Sequence, residues 1–102
     1  MSFVIPLNRL RETETLLAFH HPKPSHTVHI LLVPKRPITS MLDITATDDV
    51  FLHDLFETVQ SLVHGLRLDR GGYSFISNGG DYQDVPHLHF HLVSDTDLIS
   101  DL

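Results

Sequence analysis

Three histidines alternate with apolar residues near the C-terminus, in the run His87-Leu88-His89-Phe90-His91. Side chains of an extended strand point alternately to its two faces, so the three imidazoles would share one face and the apolar residues the other. Imidazole is the side chain that most readily gains or loses a proton near neutral pH, and clusters of titratable groups often mark functional sites. The strict alternation therefore favours a site over a chance surface row.

A histidine row of this kind is suited to nucleophilic catalysis at phosphorus. A neutral imidazole can attack phosphorus and hold a covalent phosphoryl or nucleotidyl group, provided that a partner fixes the proton on its other nitrogen. A second histidine on the same face can donate to the phosphate or protonate the leaving group. His89 has a histidine on either side and is the natural nucleophile. Glycines in the loop before the row would let backbone amides approach a phosphate closely.

Metal binding is the alternative from another functional class. A His-x-His pair on a strand can chelate zinc. His87 and His91 would lie about 13 Å apart along an extended strand, so the three histidines cannot easily share one ion. Such a site would need further ligands from elsewhere in the chain, for example His29 or Asp84. This interpretation stays open at the level of spacing.

Composition restricts the class of protein. The chain has 102 residues, enough for a single domain over residues 1–102, with 41% hydrophobic and 20% charged residues. It contains no cysteine, which excludes disulfides and thiolate metal sites, and its formal charge of −6 disfavours binding to a nucleic acid polymer. No apolar run reaches the roughly 20 residues of a membrane span, and the N-terminus lacks signal-peptide features. We therefore expect a cytoplasmic protein that does not bind membranes.

The hydrophobic pattern predicts an antiparallel α+β domain. Thr45, Thr47 and Asp48 offer N-caps for an amphipathic helix that runs to about Leu66. β-branched and aromatic runs bounded by turn residues predict strands. These strands cover residues 13–19, 28–33, 73–77 and 87–93. The acidic tail from about residue 95 is expected to fray.

The stretch from Gln83 to Val93 resembles the defining motif of the histidine-triad nucleotide hydrolases and transferases. That motif has three histidines separated by apolar residues and followed by two more apolar residues. The resemblance extends from about residue 14 to residue 94. It also includes residues 18–22, residues 29–36, Asp43-Ile44-Thr45 with the helix that follows, and Gly72-Tyr73 leading to Asn78-Gly79.

The resemblance implies an antiparallel sheet of about five strands with one main helix and a second short helix, paired as a twofold homodimer. It implies cleavage of a phosphorus bond in nucleoside phosphoramidates, nucleotidyl-adenylates or dinucleoside polyphosphates through a covalent nucleotidyl-histidine. A phosphate site built from imidazoles and amides needs no bound ion, so we expect neither cofactor nor metal. A nucleotide binder with little turnover is the alternative on the same fold.

The resemblance also assigns roles to single residues. His89 would be the nucleophile, His91 a donor to the phosphate and transition state, His87 the partner that orients His89, and His29 a fourth histidine behind the row. The expected substrate contacts are Asn78, Gln83, the Val85 amide, Phe19 against the base, His21 and Asp84.

Two of these positions depart from the family pattern. His21 stands where an acidic residue often binds the ribose hydroxyls, and Asp84 stands where a small hydroxyl residue is common. Together they predict a weaker grip on ribose and a preference for an amine on phosphorus over a strongly anionic polyphosphate. The remaining histidines, His20, His26, His53 and His64, are expected at the surface without a functional role.

Overall fold

Five strands form one antiparallel sheet in the computed structural model, which describes residues 9–97. The strands lie in the order β1-β2-β3-β5-β4, so the last strand inserts between β3 and β4. One α-helix, α1, connects β3 to β4 and covers one face of the sheet. The elements are β1 Arg9–Glu12, β2 Leu16–His20, β3 Val28–Pro34, α1 Asp49–Leu66, β4 Ser74–Ser77 and β5 Phe90–Ser94.

Alternation along β3 and β5 separates the core from the opposite face. Five even-numbered residues of the two strands join the helix in one hydrophobic cluster, as the two-residue period of a strand requires: Val28, Ile30, Leu32, Phe90 and Leu92. The odd-numbered residues face the other way. The register between the two strands sets His29 opposite Val93 and Leu31 opposite His91. Three even-numbered residues of these strands, Ile30, Leu32 and Leu92, are fully buried.

A buried carboxylate organises the start of α1. Thr45 caps a short 3-10 turn, and the Asp48 side chain accepts a hydrogen bond from the Thr45 N–H in return. Asp48 also accepts two hydrogen bonds from one nitrogen of Arg36 and a third from its Nε. The backbone donor and the guanidinium hold the pKa of Asp48 below its usual range. The connector after β3 is thereby tied to the first turn of the helix.

The helix contributes an apolar stripe to the core. Its buried residues recur at helical spacing, and the aromatic rings beneath them pack against one another. Phe90 lies 5.4 Å from Phe75 and 6.4 Å from Phe51, measured between ring centroids. No helix within residues 9–97 is long and apolar enough to cross a membrane. The buried stripe consists of Phe51, Leu55, Thr58, Val59, Leu62 and Val63.

The predicted fold class is confirmed, with differences in detail. The sheet has five antiparallel strands, and the main helix ends at Leu66 as predicted. Short 3-10 turns, rather than a second α-helix, make up the rest of the helical structure within the described residues. They cover Met41–Asp43, Ala46–Asp48, Leu68–Arg70 and Gly80–Tyr82.

One strand and two strand boundaries differ from the prediction. β2 begins at Leu16 rather than at residue 13. β1 was not predicted, because its residues are polar and mostly exposed. β5 begins at Phe90 rather than at residue 87. Pro86 has no N–H to donate, and the Leu88 N–H donates to the Ile38 carbonyl instead of to a neighbouring strand. The alternating burial nevertheless extends upstream of β5, since Leu88 is fully buried.

The acidic segment after β5 begins as ordered structure. Thr96 is buried, and its hydroxyl donates to the carbonyl of Leu68. The Ser94 hydroxyl oxygen lies 2.7 Å from both the carbonyl oxygen of Gly72 and Thr96 Oγ1. These bonds hold the chain at residues 94–96 against the turn that precedes β4. The rest of the tail that we expected to fray, residues 98–102, lies outside the described residues.

Truncation of Leu92 should lower the stability of the fold. Leu92 is fully buried between β3 and β4, so Leu92→Ala should reduce the free energy of unfolding by about 2–5 kcal/mol, measured by urea denaturation. Leu42→Ala removes the same atoms from a side chain that is 88% exposed and should change stability by no more than about 0.5 kcal/mol. Equal losses in the two variants would contradict this account of the core.

Candidate active site

A cavity of about 390 Å³ opens on the face of the sheet opposite the helix. It lies between the ends of β2 and β3 and the segment that leads into β5. Its size is within the usual range for small-molecule sites. The lining consists of Phe19, His21, Leu31, Val33, Asp84, Val85, His87, His89 and His91. The three alternating histidines therefore share one cavity, although only His91 lies within β5 itself.

The backbone fixes which nitrogen of His89 carries a proton. His89 Nδ1 lies 2.8 Å from the carbonyl oxygen of His87. A carbonyl can only accept, so Nδ1 must be the donor. In the neutral ring the lone pair is then on Nε2. His89 is thus held as the tautomer in which Nε2 can act as a nucleophile or base.

A second chain of hydrogen bonds fixes the proton positions on His29 and His91. The Ser25 N–H donates to His29 Nδ1 over 3.1 Å, which leaves the proton of neutral His29 on Nε2. His29 Nε2 lies 2.8 Å from His91 Nδ1 and therefore donates to it. The proton of neutral His91 is then on its own Nε2. The Nε2 atoms of the two residues therefore have opposite functions: that of His91 is a hydrogen-bond donor, and that of His89 carries a lone pair.

The donor nitrogen of His91 lacks a partner in the described part of the chain. His91 Nε2 exposes less than 1 Å² and makes no hydrogen bond there. A buried donor left unpaired costs about 1–3 kcal/mol. Such an orphan atom in a cavity wall is typical of a site whose partner is a ligand. An oxygen or nitrogen acceptor on a bound molecule would satisfy it.

Burial holds the inner two histidines in their neutral forms. Burial, and then the imidazoles of His21, His91 and His26, lower the pKa of His29 to about 4. Burial, and then His89 and His21, also lower the pKa of His91, while the Asp84 carboxylate acts to raise it. Both rings are therefore uncharged at neutral pH, as the tautomer assignments require.

His21 is part of the same imidazole cluster. Its ring stacks on His29 with centroids 4.3 Å apart and lies 6.3 Å from His91. Its Nδ1 accepts a hydrogen bond from the Lys23 N–H, so the neutral ring carries its proton on Nε2. His21 thus brings an N–H donor to the cavity, where a carboxylate would bring only acceptors.

The structure gathers most of the predicted site residues, but not all. Phe19, His21, Asp84 and Val85 line the cavity with the three alternating histidines, and His29 lies behind them as a buried residue. The cavity lining does not include Asn78 or Gln83. Gln83 Nε2 instead donates to the carbonyls of Thr39 and Val85, so this side chain braces the loop. Gln83 lines a neighbouring cavity of about 460 Å³ with Asp84 and Val85.

The ring and the backbone carbonyl of His87 have different contacts in the site. Its ring Nε2 donates to the carbonyl of Pro34 at the end of β3 over 3.2 Å. The atom of this residue that orients His89 is its carbonyl oxygen. Leu31 and Val33 were not predicted to line the cavity. They share the parity of His29 along β3, and this two-residue period is the sequence signal that could have found them.

The cluster does not have the geometry of a metal site. Within residues 9–97, no group of three or more His, Cys, Asp or Glu side chains is arranged to hold an ion.

Comparison with known proteins identifies the family. The family model of the HIT domain, named for the histidine triad, matches residues 2–98. This chain belongs to the HIT family. The predicted family is thereby confirmed, and we refer to the three alternating histidines His87, His89 and His91 as the triad.

Relatives and solved structures agree with this assignment. An uncharacterized HIT-like protein of Azospirillum brasilense is 37% identical over 91 residues, covering 86% of this chain and 75% of that protein. An adenosine 5'-monophosphoramidase of Candida albicans is 32% identical over 101 residues, covering 91% and 64%. The crystal structure of a HIT family hydrolase from Legionella pneumophila superposes with a TM-score of 0.82 at 27% identity, covering 91% and 85%.

The neutral state of His29 should make stability depend on pH. Its folded pKa of about 4 lies below the ordinary value of 6.5, so the unfolded chain binds more protons between these values. This contribution is fully present above pH 6.5 and is lost as the pH falls towards 4. When the pH falls from 7 to 4, the free energy of unfolding measured with urea should therefore decrease by roughly 3 kcal/mol more in the wild type than in the His29→Gln variant. Parallel profiles would contradict a buried neutral His29.

Proposed function

We propose that this HIT protein cleaves a phosphorus bond of a nucleotide through a covalent nucleotidyl group on His89. One observation carries the proposal. The cavity presents a ring nitrogen with a free lone pair on His89 and a ring N–H without a partner on His91, and the two rings lie 5.1 Å apart between centroids. Transfer at phosphorus requires both functions at once, a nucleophile and a proton donor.

The first step of the proposed reaction forms the covalent intermediate. His89 Nε2 attacks phosphorus with its lone pair and forms an N–P bond. The bond from phosphorus to the leaving group breaks on the opposite side, and the departing electron pair takes the proton of His91 Nε2. The His87 carbonyl stabilises the positive charge that develops on His89, because it accepts from Nδ1.

The second step releases the nucleotide. A water oxygen attacks phosphorus, and a proton of that water moves to His91 Nε2. The N–P bond breaks, and its electron pair returns to His89 Nε2. The two histidines regain their initial tautomers, so the cycle is closed without a metal ion or a cofactor.

The wall of the cavity supports a nucleotide as the substrate. Phe19 offers an aromatic face at one side, and Leu31 and Val33 add apolar surface beside the histidines. The relative from Candida albicans is named as an adenosine 5'-monophosphoramidase. A nucleoside monophosphate joined to an amine combines these features, and we propose a nucleoside phosphoramidate as the substrate class.

Asp84 supports an amine leaving group in particular. It lines both the histidine cavity and the neighbouring cavity, and it is the only charged residue in the lining of the latter. None of the ion pairs described for residues 9–97 includes it. A leaving group with a positive charge would gain from this carboxylate, whereas a polyphosphate would be repelled.

The covalent intermediate is directly testable. Protein mixed with an adenosine phosphoramidate and quenched within one turnover should carry an adenylyl group on His89, located by mass spectrometry of its peptides. His89→Ala should lose nearly all turnover while folding normally. A chelator is present throughout, because the proposed steps use no metal ion.

Two outcomes would contradict the mechanism. One is an adduct on His87 or on His91 instead of His89. The other is turnover that disappears with the chelator and returns with zinc, which would favour the metal-dependent alternative. Tight nucleotide binding without any adduct or release would identify a binder with little turnover.

The charge of Asp84 should select the leaving group. Asp84→Asn should lower kcat/KM for a phosphoramidate of a diamine by roughly fivefold relative to that of a neutral alkylamine of equal length, as expected for about 1 kcal/mol between charges near the surface. Asp81→Asn changes the net charge equally at an exposed residue that lines neither cavity, and should leave the ratio unchanged. A ratio that responds equally to both variants would indicate a long-range effect.

A further inference from the structure

A continuous hydrogen-bonded path joins the catalytic cavity to a residue that lines a separate surface cavity. His91 Nδ1 accepts from His29 Nε2 over 2.8 Å, and His29 Nδ1 lies 3.3 Å from the Ser25 hydroxyl. That hydroxyl in turn lies 2.7 Å from Nδ1 of His26. Each link joins a group that can both gain and lose a proton. The path begins at the orphan donor of His91 and ends at a half-buried imidazole.

The outer end of the path has its own opening. His26 lines a surface cavity of about 340 Å³ that shares no lining residue with the catalytic cavity. Asp95 lines the same opening, and its carboxylate accepts from the Thr27 N–H. Solvent can therefore reach His26 while a substrate fills the catalytic cavity. His26 was predicted to be a surface residue without a functional role, whereas in the structure it is half-buried.

We infer that Ser25 and His26 form a proton path that returns a proton to His91 from the side away from the substrate. The inference rests on the proposed function, because a path of this kind matters only if His91 gives up a proton during the reaction. Ser25 and His26 are then positioning residues: they act on the substrate through His29 and His91.

The proton balance closes over the two chemical steps. When the leaving amine takes the proton of His91 Nε2, His91 Nδ1 takes that of His29 Nε2. His29 Nδ1 then takes the hydroxyl proton of Ser25, and the hydroxyl is restored from His26, which is reprotonated by solvent. When water attacks the intermediate, its proton enters at His91 Nε2 and the same path runs in reverse. No net proton is gained or lost by the protein in a full cycle.

The surroundings of His29 favour passage of a proton through its ring over a stable protonated, charged ring. The titratable groups that face it are the imidazoles of His21, His26 and His91, and burial adds to their effect, so its charged form is disfavoured. The Ser25 N–H also points at Nδ1 and opposes a proton there. The altered tautomer is therefore less stable, which drives the return of the proton in the second step.

An isosteric pair of variants tests the path. Ser25→Thr keeps a hydroxyl, whereas Ser25→Val replaces it with a methyl group of the same shape, and both keep the backbone N–H that fixes His29. The measurement is the first-turnover release of the leaving group from two adenosine substrates. One is an alkylamine phosphoramidate, whose amine needs a proton to depart, and the other is a 4-nitrophenyl phosphate ester, whose anion needs none.

The path predicts a loss confined to one substrate. Ser25→Val should slow release of the alkylamine by about a hundredfold relative to Ser25→Thr, the lower end of what general acid catalysis contributes, and should leave nitrophenolate release unchanged. His26→Gln should also slow release of the alkylamine and leave release of nitrophenolate unchanged. His64→Gln, an exposed histidine on the helix, should affect neither substrate. Equal losses with both substrates, or no loss with either, would overturn the proposal.

A second measurement separates this inference from the proposed function. Nitrogen-15 spectra of the histidine rings report which nitrogen carries the proton without any turnover. In the free protein at neutral pH, His29 and His91 should both be protonated on Nε2 and bare on Nδ1. A proton on His29 Nδ1 would overturn the path even if His89 is adenylylated, whereas the expected tautomers without any adduct would refute the proposed function alone.

Discussion

The antiparallel pairing of β3 with β5 is the constraint on which both the core and the site depend. Its register sets His29 two residues from the position opposite His91, on the same face, so that their rings meet through a hydrogen bond. The same alternation sends the intervening aliphatic residues into the core beneath the helix. A shift of one residue would exchange the two sets, burying imidazoles and exposing the core. The burial of the core side chains therefore stabilises the same strand register that brings the site residues together.

Backbone groups determine most of the proton positions on the imidazoles of this site. The amides of Lys23 and Ser25 donate to ring nitrogens, and the carbonyls of Pro34 and His87 accept from them. Backbone donors and acceptors cannot change protonation state, so each linked imidazole has one favoured tautomer. The loop between β2 and β3 thus belongs to the site, although Ser25 does not line the histidine cavity.

The sequence predicted those features that arise from local periodicity. The helix ending at Leu66 and the shared face of the triad follow from repeats of 3.6 and two residues. The sequence did not predict β1, whose polar residues gain their order from pairing with β2. Nor did it predict that Gln83 braces a loop or that His26 reaches His29 through Ser25, because those contacts depend on where separate segments meet in space.

The lining of the histidine cavity has a consequence for how the proposed substrate would arrive. Its residues include four imidazoles and Asp84, but neither lysine nor arginine, and the chain carries a formal charge of −6. An anionic nucleotide, the proposed substrate, would therefore approach against the long-range field of the protein, and only short-range contacts would capture it. Added salt screens repulsion as well as attraction, with a Debye length of about 8 Å at physiological ionic strength. Encounter should thus become faster as ionic strength rises, the reverse of what a lysine-lined phosphate site would do.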